Sequence, residues 1–160
     1  MNEYKSAFLK TPLGTAKITG NEDGIVEISV LDEEYATTED PEEPLRSCMS
    51  QLEAYFNGQR KSFSVKLNPL GTDFQKRVWA ELQNIPFGKR ISYMEQTLRL
   101  GDEKAIRAVA SANGKNPIWI IIPCHRVVGS DGSLTGYAGG LWRKKWLLEH
   151  ESPSGQTSLF

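Results

Sequence analysis

The order of apolar and polar positions divides the chain into a β-rich beginning and a helical remainder. Tyr4–Lys10, Thr15–Thr19 and Gly24–Leu31 are short and rich in β-forming residues. Pro12-Leu13-Gly14 and Asn21-Glu22-Asp23-Gly24 supply turns between them, so the pattern predicts a β-meander. Asp32–Glu43 is acidic and nearly devoid of apolar residues, as in a solvated loop. Leu45, Cys48, Met49, Leu52 and Phe56 then recur at the spacing of one face of an amphipathic helix, which Asn57-Gly58 ends. Ser62–Leu67 predicts one more strand, and Asn68-Pro69-Leu70-Gly71 breaks the chain.

Helical spacing dominates after the break. Thr72 with Gln75 is a capping-box pattern, and Phe74, Val78, Trp79, Leu82 and Ile85 form one face of the helix that follows, up to Pro86-Phe87-Gly88. Ser92 with Glu95 repeats the box and opens a short helix to about Leu98. Arg99-Leu100-Gly101 makes a turn, and Asp102 N-caps a second helix, Lys104–Asn113, closed by Gly114. Two short helices about a Gly-containing turn predict a helix-turn-helix. The second is built of small residues and is thin enough to enter a nucleic-acid groove; a plain αα-hairpin with alanines for close packing fits the same pattern. Ile118–Ile122 predicts a buried strand. Val127–Gly140 reads as a Gly-rich loop and Gly140–Glu151 as a last amphipathic helix, with a polar tail over 153–160.

Composition narrows the class. At 39% hydrophobic and 24% charged residues, the chain has enough apolar material for a packed core. The longest apolar run, Ile118–Ile122, is too short to span a bilayer, and the N-terminus reads as no secretory signal. Two cysteines argue against a disulfide framework, and with two histidines they leave little for a zinc site. We therefore expect an intracellular, cytoplasmic protein with reduced thiols, no metal and no membrane partner. The near-neutral charge hides an asymmetry: residues 1–70 carry 7 Lys/Arg against 12 Asp/Glu, and residues 71–160 carry 12 against 8. A polyanion-binding face belongs in the second part. The expected organisation is a lobe at 1–70, a second lobe at 71–152 and the tail at 153–160.

The candidate chemistry lies at the cysteines. Cys48 falls on the apolar face of its helix and reads as inert core. Cys124 stands between Pro123 and His125-Arg126, facing the Gly-rich loop. A thiol near cationic groups or a histidine ionises more readily and becomes a nucleophile; a buried cysteine ending a core strand is the alternative. Side chains of sequence neighbours diverge, so a relay from His125 to Cys124 through one water is easier than a direct bond. Glu151 or Glu149 could orient His125 as a third member.

These residues carry a resemblance. Ile121-Ile122-Pro123-Cys124-His125-Arg126-Val127-Val128 resembles the active-site signature of the O6-alkylguanine-DNA alkyltransferases. Pro86-Phe87-Gly88 with Ile91-Ser92-Tyr93, Arg107-Ala108-Val109, Asn116-Pro117, Gly136-Tyr137-Ala138-Gly139-Gly140-Leu141 and Trp146-Leu147-Leu148-Glu149-His150-Glu151 resemble the family's other blocks in the same order. The match covers about residues 72–151 and is closest to the bacterial, metal-free branch. It implies an α+β fold, with a ribonuclease-H-like antiparallel sheet lobe and a helical lobe containing the helix-turn-helix.

It also implies roles. Cys124 matches the alkyl acceptor, and His125 and Glu151 the water-mediated relay that activates it. Asn116 matches the brace between recognition helix and active-site segment. Tyr93 matches the residue that assists the guanine leaving group and rotates the nucleotide's phosphate. Arg107 matches the finger that fills the gap left by the flipped base, on a helix that includes Ala108. Tyr137 matches a pocket wall and Ala138 a backbone donor to O6, with Val127 and Asn113 as further pocket residues. Some relatives carry methionine and arginine where Asn113 and Gly114 stand. Lys104, Lys115 and Arg126, with Lys89 and Arg90, are candidate phosphate contacts, Arg126 equally a buried ion pair. The implied partner is alkylated double-stranded DNA, met in the minor groove rather than in the major groove usual for a helix-turn-helix. No cofactor is implied, and a monomer is expected. The implied activity is irreversible transfer of the alkyl group to Cys124, once per molecule. A non-catalytic lesion sensor and a cysteine hydrolase are the alternatives.

Overall fold

The computed structural model describes residues 3–134, 136–137 and 139–152. It divides the chain into two compact units, one of residues 1–70 with Pro117–Trp119, the other of residues 71–116 and 120–160. The second part of the chain is therefore not one uninterrupted lobe, because three residues return to the first unit.

The expected meander forms in the first unit. Strands β1 (Lys5–Thr11), β2 (Gly14–Asn21) and β3 (Gly24–Leu31) make an antiparallel sheet in that order. Ala7, Ile18 and Ile28 stand across from one another in register and are buried. Helix α1 (Leu45–Phe56) packs on β1 and β2, burying Leu45, Cys48, Met49, Leu52 and Tyr55. The acidic loop of residues 32–43 has a structural use: Phe8 N donates to Thr38 Oγ1 at 2.8 Å and Lys10 N to Thr37 Oγ1 at 3.1 Å. Those hydroxyls cover the open edge of β1, which would otherwise offer unpaired backbone groups.

The strand expected at Ser62–Leu67 does not form. Leu67 makes one isolated bridge to Ile25. The adjoining part of the β3 edge is taken by the returning segment, where Ile28 N donates to Pro117 O and Trp119 N to Ile28 O. Backbone groups of residues 62–64 bond to the side chains of Arg60 and Gln51 instead. Nor is Ile118–Ile122 a strand. All five residues are buried, but only Ile118 bridges to Ile28, and Ile120 at φ 71° turns the chain. A β-branched residue in that left-handed region costs about 1–3 kcal/mol and is held by its surroundings. An apolar run reports burial without specifying a strand.

The second unit is mainly helical. Thr72 and Gln75 form the full reciprocal capping box of α2 (Asp73–Leu82). Val78, Trp79 and Leu82 are buried on its inner face, and Trp79 Nε1 donates to Ala112 O at 2.9 Å. A Cβ on Gly71 would lie 2.5 Å from the Trp79 ring, so only glycine admits that approach. Helices α3 (Tyr93–Arg99) and α4 (Ile106–Gly114) form the helix-turn-helix, with Gly101 at φ 94° in the turn. The Ser92 box is only half made: Ser92 Oγ accepts from Glu95 N, while the Glu95 carboxylate accepts from Arg99 Nη2. Lys104 belongs to a 3-10 turn, Glu103–Ala105, which precedes α4. The Gly-rich segment begins with a strand, β5 (Val127–Val128), which pairs in parallel with β4 (Ile91–Ser92). Helix α5 spans Leu141–His150. Among the described residues no helix is long and apolar enough to cross a membrane.

Candidate active site

Pro123 leads into a 3-10 turn, Cys124–Arg126. This tight turn leaves Cys124 at a cavity and sends both His125 and Arg126 inward to one buried carboxylate, Glu151, which a strand's alternation would not do. The pairing of β4 with β5 brings the start of α3, with Tyr93, beside the same segment.

Cys124 remains partly open to a cavity of about 690 Å³, lined in part by Tyr93, Met94, Arg107, Asn113 and Tyr137. Cys124 N donates to Ile122 O at 2.9 Å. Asn116 Nδ2 donates to Ile122 O at 2.7 Å and to Cys124 Sγ at 3.4 Å, bracing the turn and the sulfur together. Burial raises the Cys124 thiol above its ordinary value, while the Asn116 hydrogen bond, the Lys144 charge and a backbone hydrogen bond oppose it. Burial alone pushes the Cys48 thiol up to about 12, and Cys48 is wholly buried, so it has neither access nor activation.

His125 is completely buried. Its Nε2 lies 2.8 Å from Glu151 Oε2. Burial pushes the Glu151 carboxyl up, but His125 and Arg126 outweigh it and hold Glu151 below the usual carboxylate range. An ionised Glu151 accepts a hydrogen bond from Nε2–H, which leaves the lone pair of the neutral ring on Nδ1. His125 Nδ1 is buried and has no hydrogen-bond partner among the described residues. The helix end therefore selects Glu151 over Glu149, which stays part-exposed.

Arg126 is not a phosphate contact. It is only 6% exposed; Nε and Nη2 donate to Glu151 at 2.8 and 3.0 Å, and Nη1 to Ile85 O at 2.6 Å. A guanidinium so occupied cannot reach DNA without leaving a buried carboxylate uncompensated. Val127 is likewise no pocket residue: it is fully buried in β5 and does not line the cavity. Ala138 lies outside the described residues. Tyr137 and Asn113 line the cavity, and Gly140 N donates to Tyr137 O at 2.9 Å. Arg107 and Ala108 are exposed on α4, Lys104 and Lys115 just before and after it, and Lys89 is also exposed. Arg90 is half-buried, and its guanidinium is lowered by desolvation, offset by Glu151 and Glu149.

One ionisable group escaped the sequence reading. Lys144 is fully buried on α5, its Nζ 5.8 Å from the Tyr93 ring centre and 6.0 Å from that of Tyr137. Those distances allow cation–π attraction. Burial pulls its ammonium down to about 8, and the Cys124 thiolate pulls the other way. A signal was available: Lys144 shares a helical stripe with Leu147, Leu148 and Glu151, an inner face on which a lysine needs explaining.

Two family models match this chain. Residues 4–69 match the ribonuclease-like domain of 6-O-methylguanine DNA methyltransferase, and residues 73–153 match its DNA-binding domain. The chain belongs to this methyltransferase family. The methylated-DNA–protein-cysteine methyltransferase of Methanosarcina barkeri is 47% identical, covering 89% of this chain and 94% of its own. That of Mycolicibacterium paratuberculosis is 40% identical, covering 99% and 98%. The crystal structure of the Mycobacterium tuberculosis O6-methylguanine methyltransferase superposes with a TM-score of 0.82 at 42% identity, over 93% of each chain. The M. tuberculosis OGT in complex with DNA gives 0.81 at 41% identity, over 96% and 97%. The methyltransferase fold thus spans both units, including the N-terminal one, which the motifs left uncovered.

Proposed function

We propose that this chain performs direct DNA repair, moving the alkyl group of O6-alkylguanine in double-stranded DNA onto Cys124 in a single turnover. The observation that carries this reading is the site's division of labour. One 3-10 turn presents a thiol to an open cavity and commits the next residue to a wholly buried His125–Glu151 pair. Membership of the methyltransferase family and the likeness to a DNA complex support it.

A water between Cys124 Sγ and His125 Nδ1 carries the thiol proton to the imidazole, while Glu151 stabilises the cation that results. The thiolate attacks the alkyl carbon in line. The S–C bond forms, the C–O6 bond breaks, and its electron pair withdraws into the O6/N1 system. The Tyr93 hydroxyl supplies a proton to the departing guanine, and the proton held on His125 restores the balance. The product thioether resists hydrolysis, so no free thiol returns. Substrate and chain supply both reacting groups, so the transfer needs no cofactor or metal.

The target carbon is inside the duplex, so the nucleotide must leave the stack. α4 presents Ala108, Ala110, Ser111 and Gly114 as an exposed small-residue face, with Arg107 both exposed and at the cavity. That combination suits entry into the minor groove with Arg107 filling the gap, while Lys104 and Lys115 meet phosphates. The chain acts as a monomer on the DNA of the cytoplasm.

Intact-mass spectrometry after mixing with a duplex carrying one O6-methylguanine tests the proposal. One methyl per chain, on the Cys124 peptide, is expected. Methyl on Cys48, several lesions repaired per chain, or lesion binding with an unmodified Cys124 would overturn it, the last in favour of a sensor.

A further inference from the structure

Gln96 and Asn113 form a closed amide pair. Gln96 Nε2 donates to Asn113 Oδ1 at 2.7 Å, and Asn113 Nδ2 donates to Gln96 Oε1 at 2.7 Å. Gln96 is completely buried on α3; Asn113, on α4, is 7% exposed and lines the same cavity as Cys124. Asn113 O also accepts from Asn116 N at 3.2 Å, and Asn116 is the residue whose amide reaches Cys124 Sγ. The pair is thus one helical turn from the bond that braces the sulfur.

A side-chain amide has two N–H donors and two acceptor lone pairs on oxygen. The reciprocal pair uses one of each on Asn113, and no other side-chain bond to Asn113 forms among the described residues. Gln96 holds the amide in one orientation, so the remaining donor and acceptor belong to a fixed polar wall. If α3 and α4 needed only to be pinned together, an apolar contact of the same shape would serve nearly as well.

We propose that Gln96, acting through Asn113, makes the alkyl pocket selective for O6-hydroxyalkyl groups over apolar groups of the same size. Asn113 touches the transferred group, and Gln96 is its positioning residue. The inference rests on the cavity being the alkylguanine site. The transfer is unchanged: the S–C bond forms and the C–O6 bond breaks, with the alkyl hydroxyl left intact and hydrogen-bonded to Asn113. One such bond gives roughly a fivefold rate preference.

The test uses the full chain and two duplexes of one sequence, carrying O6-(2-hydroxyethyl)guanine or O6-propylguanine. Single-turnover rates of transfer to Cys124 are compared as a ratio within each protein, which cancels any shared loss in DNA binding or chemistry. The parent should favour hydroxyethyl about fivefold. In Gln96→Met/Asn113→Leu, where both partners become apolar together and the fold is spared an orphaned amide, the ratio should fall to about one. Gln96→Met alone should also lower it, although Asn113 remains. A folded double variant with the parent ratio would overturn the proposal. So would a parent without preference. Failure of the underlying reading looks different: the parent then places no methyl from O6-methylguanine on Cys124.

Discussion

Cys48 and Cys124 are one functional group in two kinds of burial. On the apolar side of α1 nothing opposes desolvation, and the Cys48 thiol is pushed up to about 12. Cys124 is desolvated as well, and its thiol is also raised, but an Asn116 amide and a Lys144 ammonium work against the burial. A thiol becomes a nucleophile when polar groups favour its thiolate and a substrate can reach it. Access and surroundings both separate these two sites: Cys48 is wholly buried among apolar groups, whereas Cys124 opens in part to the cavity and has polar groups beside its sulfur.

The sharpest way to break that comparison is to remove each thiol. Cys124→Ala should abolish transfer and leave lesion binding measurable by gel shift. Cys48→Ala should transfer at the parent rate and lose only on the order of 1 kcal/mol of stability in urea unfolding. Transfer that depends on Cys48 would reverse the assignment.

The next largest effect concerns the buried pair. His125→Ala and Glu151→Gln should each slow single-turnover transfer by about 10²–10⁴. Their combination should be far from additive, since members of one relay act as a unit. Glu149→Gln should be near neutral. Glu151→Gln also leaves Arg126 buried with a neutral partner, so unfolding should become easier by up to about 3–5 kcal/mol. Because the folded carboxyl is depressed, that contribution is fully present above the ordinary value of 4.5 and fades as pH falls. The stability gap between parent and Glu151→Gln should therefore close in acid. A gap independent of pH would mean Glu151 is not ionised in the fold.

Arg107 separates access from chemistry. Arg107→Ala should slow repair of duplex DNA by about tenfold or more and barely change reaction with free O6-benzylguanine, because only the duplex requires an extruded base. Tyr93→Phe should slow both. Equal losses for Arg107→Ala on both substrates would place that arginine in the chemistry or the fold.

Lys144 gives the smallest and most diagnostic effect. Its folded value of about 8 lies below the ordinary 10.5. Between those values the unfolded chain binds more protons than the folded one, so this group makes stability rise with pH there. Below about 8 both states are protonated and the fold carries the full burial cost. In Lys144→Met the unfolding free energy should lose that rise between pH 7 and 10.5, so the difference between parent and variant should change with pH across that window. It should also slow transfer most below pH 8, where the parent's ammonium supports the thiolate. A pH-independent difference would contradict the burial of a charged lysine.

The elements easiest to read were those whose signals are local. Pro123-Cys124-His125-Arg126 stands out as composition, the Thr72–Gln75 box and the meander turns as short-range patterns, and each forms where its residues said. The misread elements depend on distant partners. Ser62–Leu67 has strand-like residues but meets a β3 edge already shared with Pro117–Trp119, and Ile118–Ile122 is apolar for burial around a turn at Ile120. For Arg126 the sequence left a phosphate contact and a buried ion pair both open, because its partner, Glu151, lies 25 residues away at the end of α5.

By itself, then, the sequence singled out Cys124 over Cys48 as the candidate nucleophile, marked a helix-turn-helix whose second helix is built of small residues, and carried the resemblance to the family. Those properties reside in residue type and spacing within one turn or one motif. Only the tertiary structure decided how the thiol is tuned. The Glu151 carboxylate shared by His125 and Arg126, Lys144 beside the two tyrosines and Gln96 locked to Asn113 each require side chains from separate elements to meet at 2.7–6.0 Å. Hydrogen bonds and buried charges depend steeply on such distances, and distance between separate elements is not written in spacing along the chain.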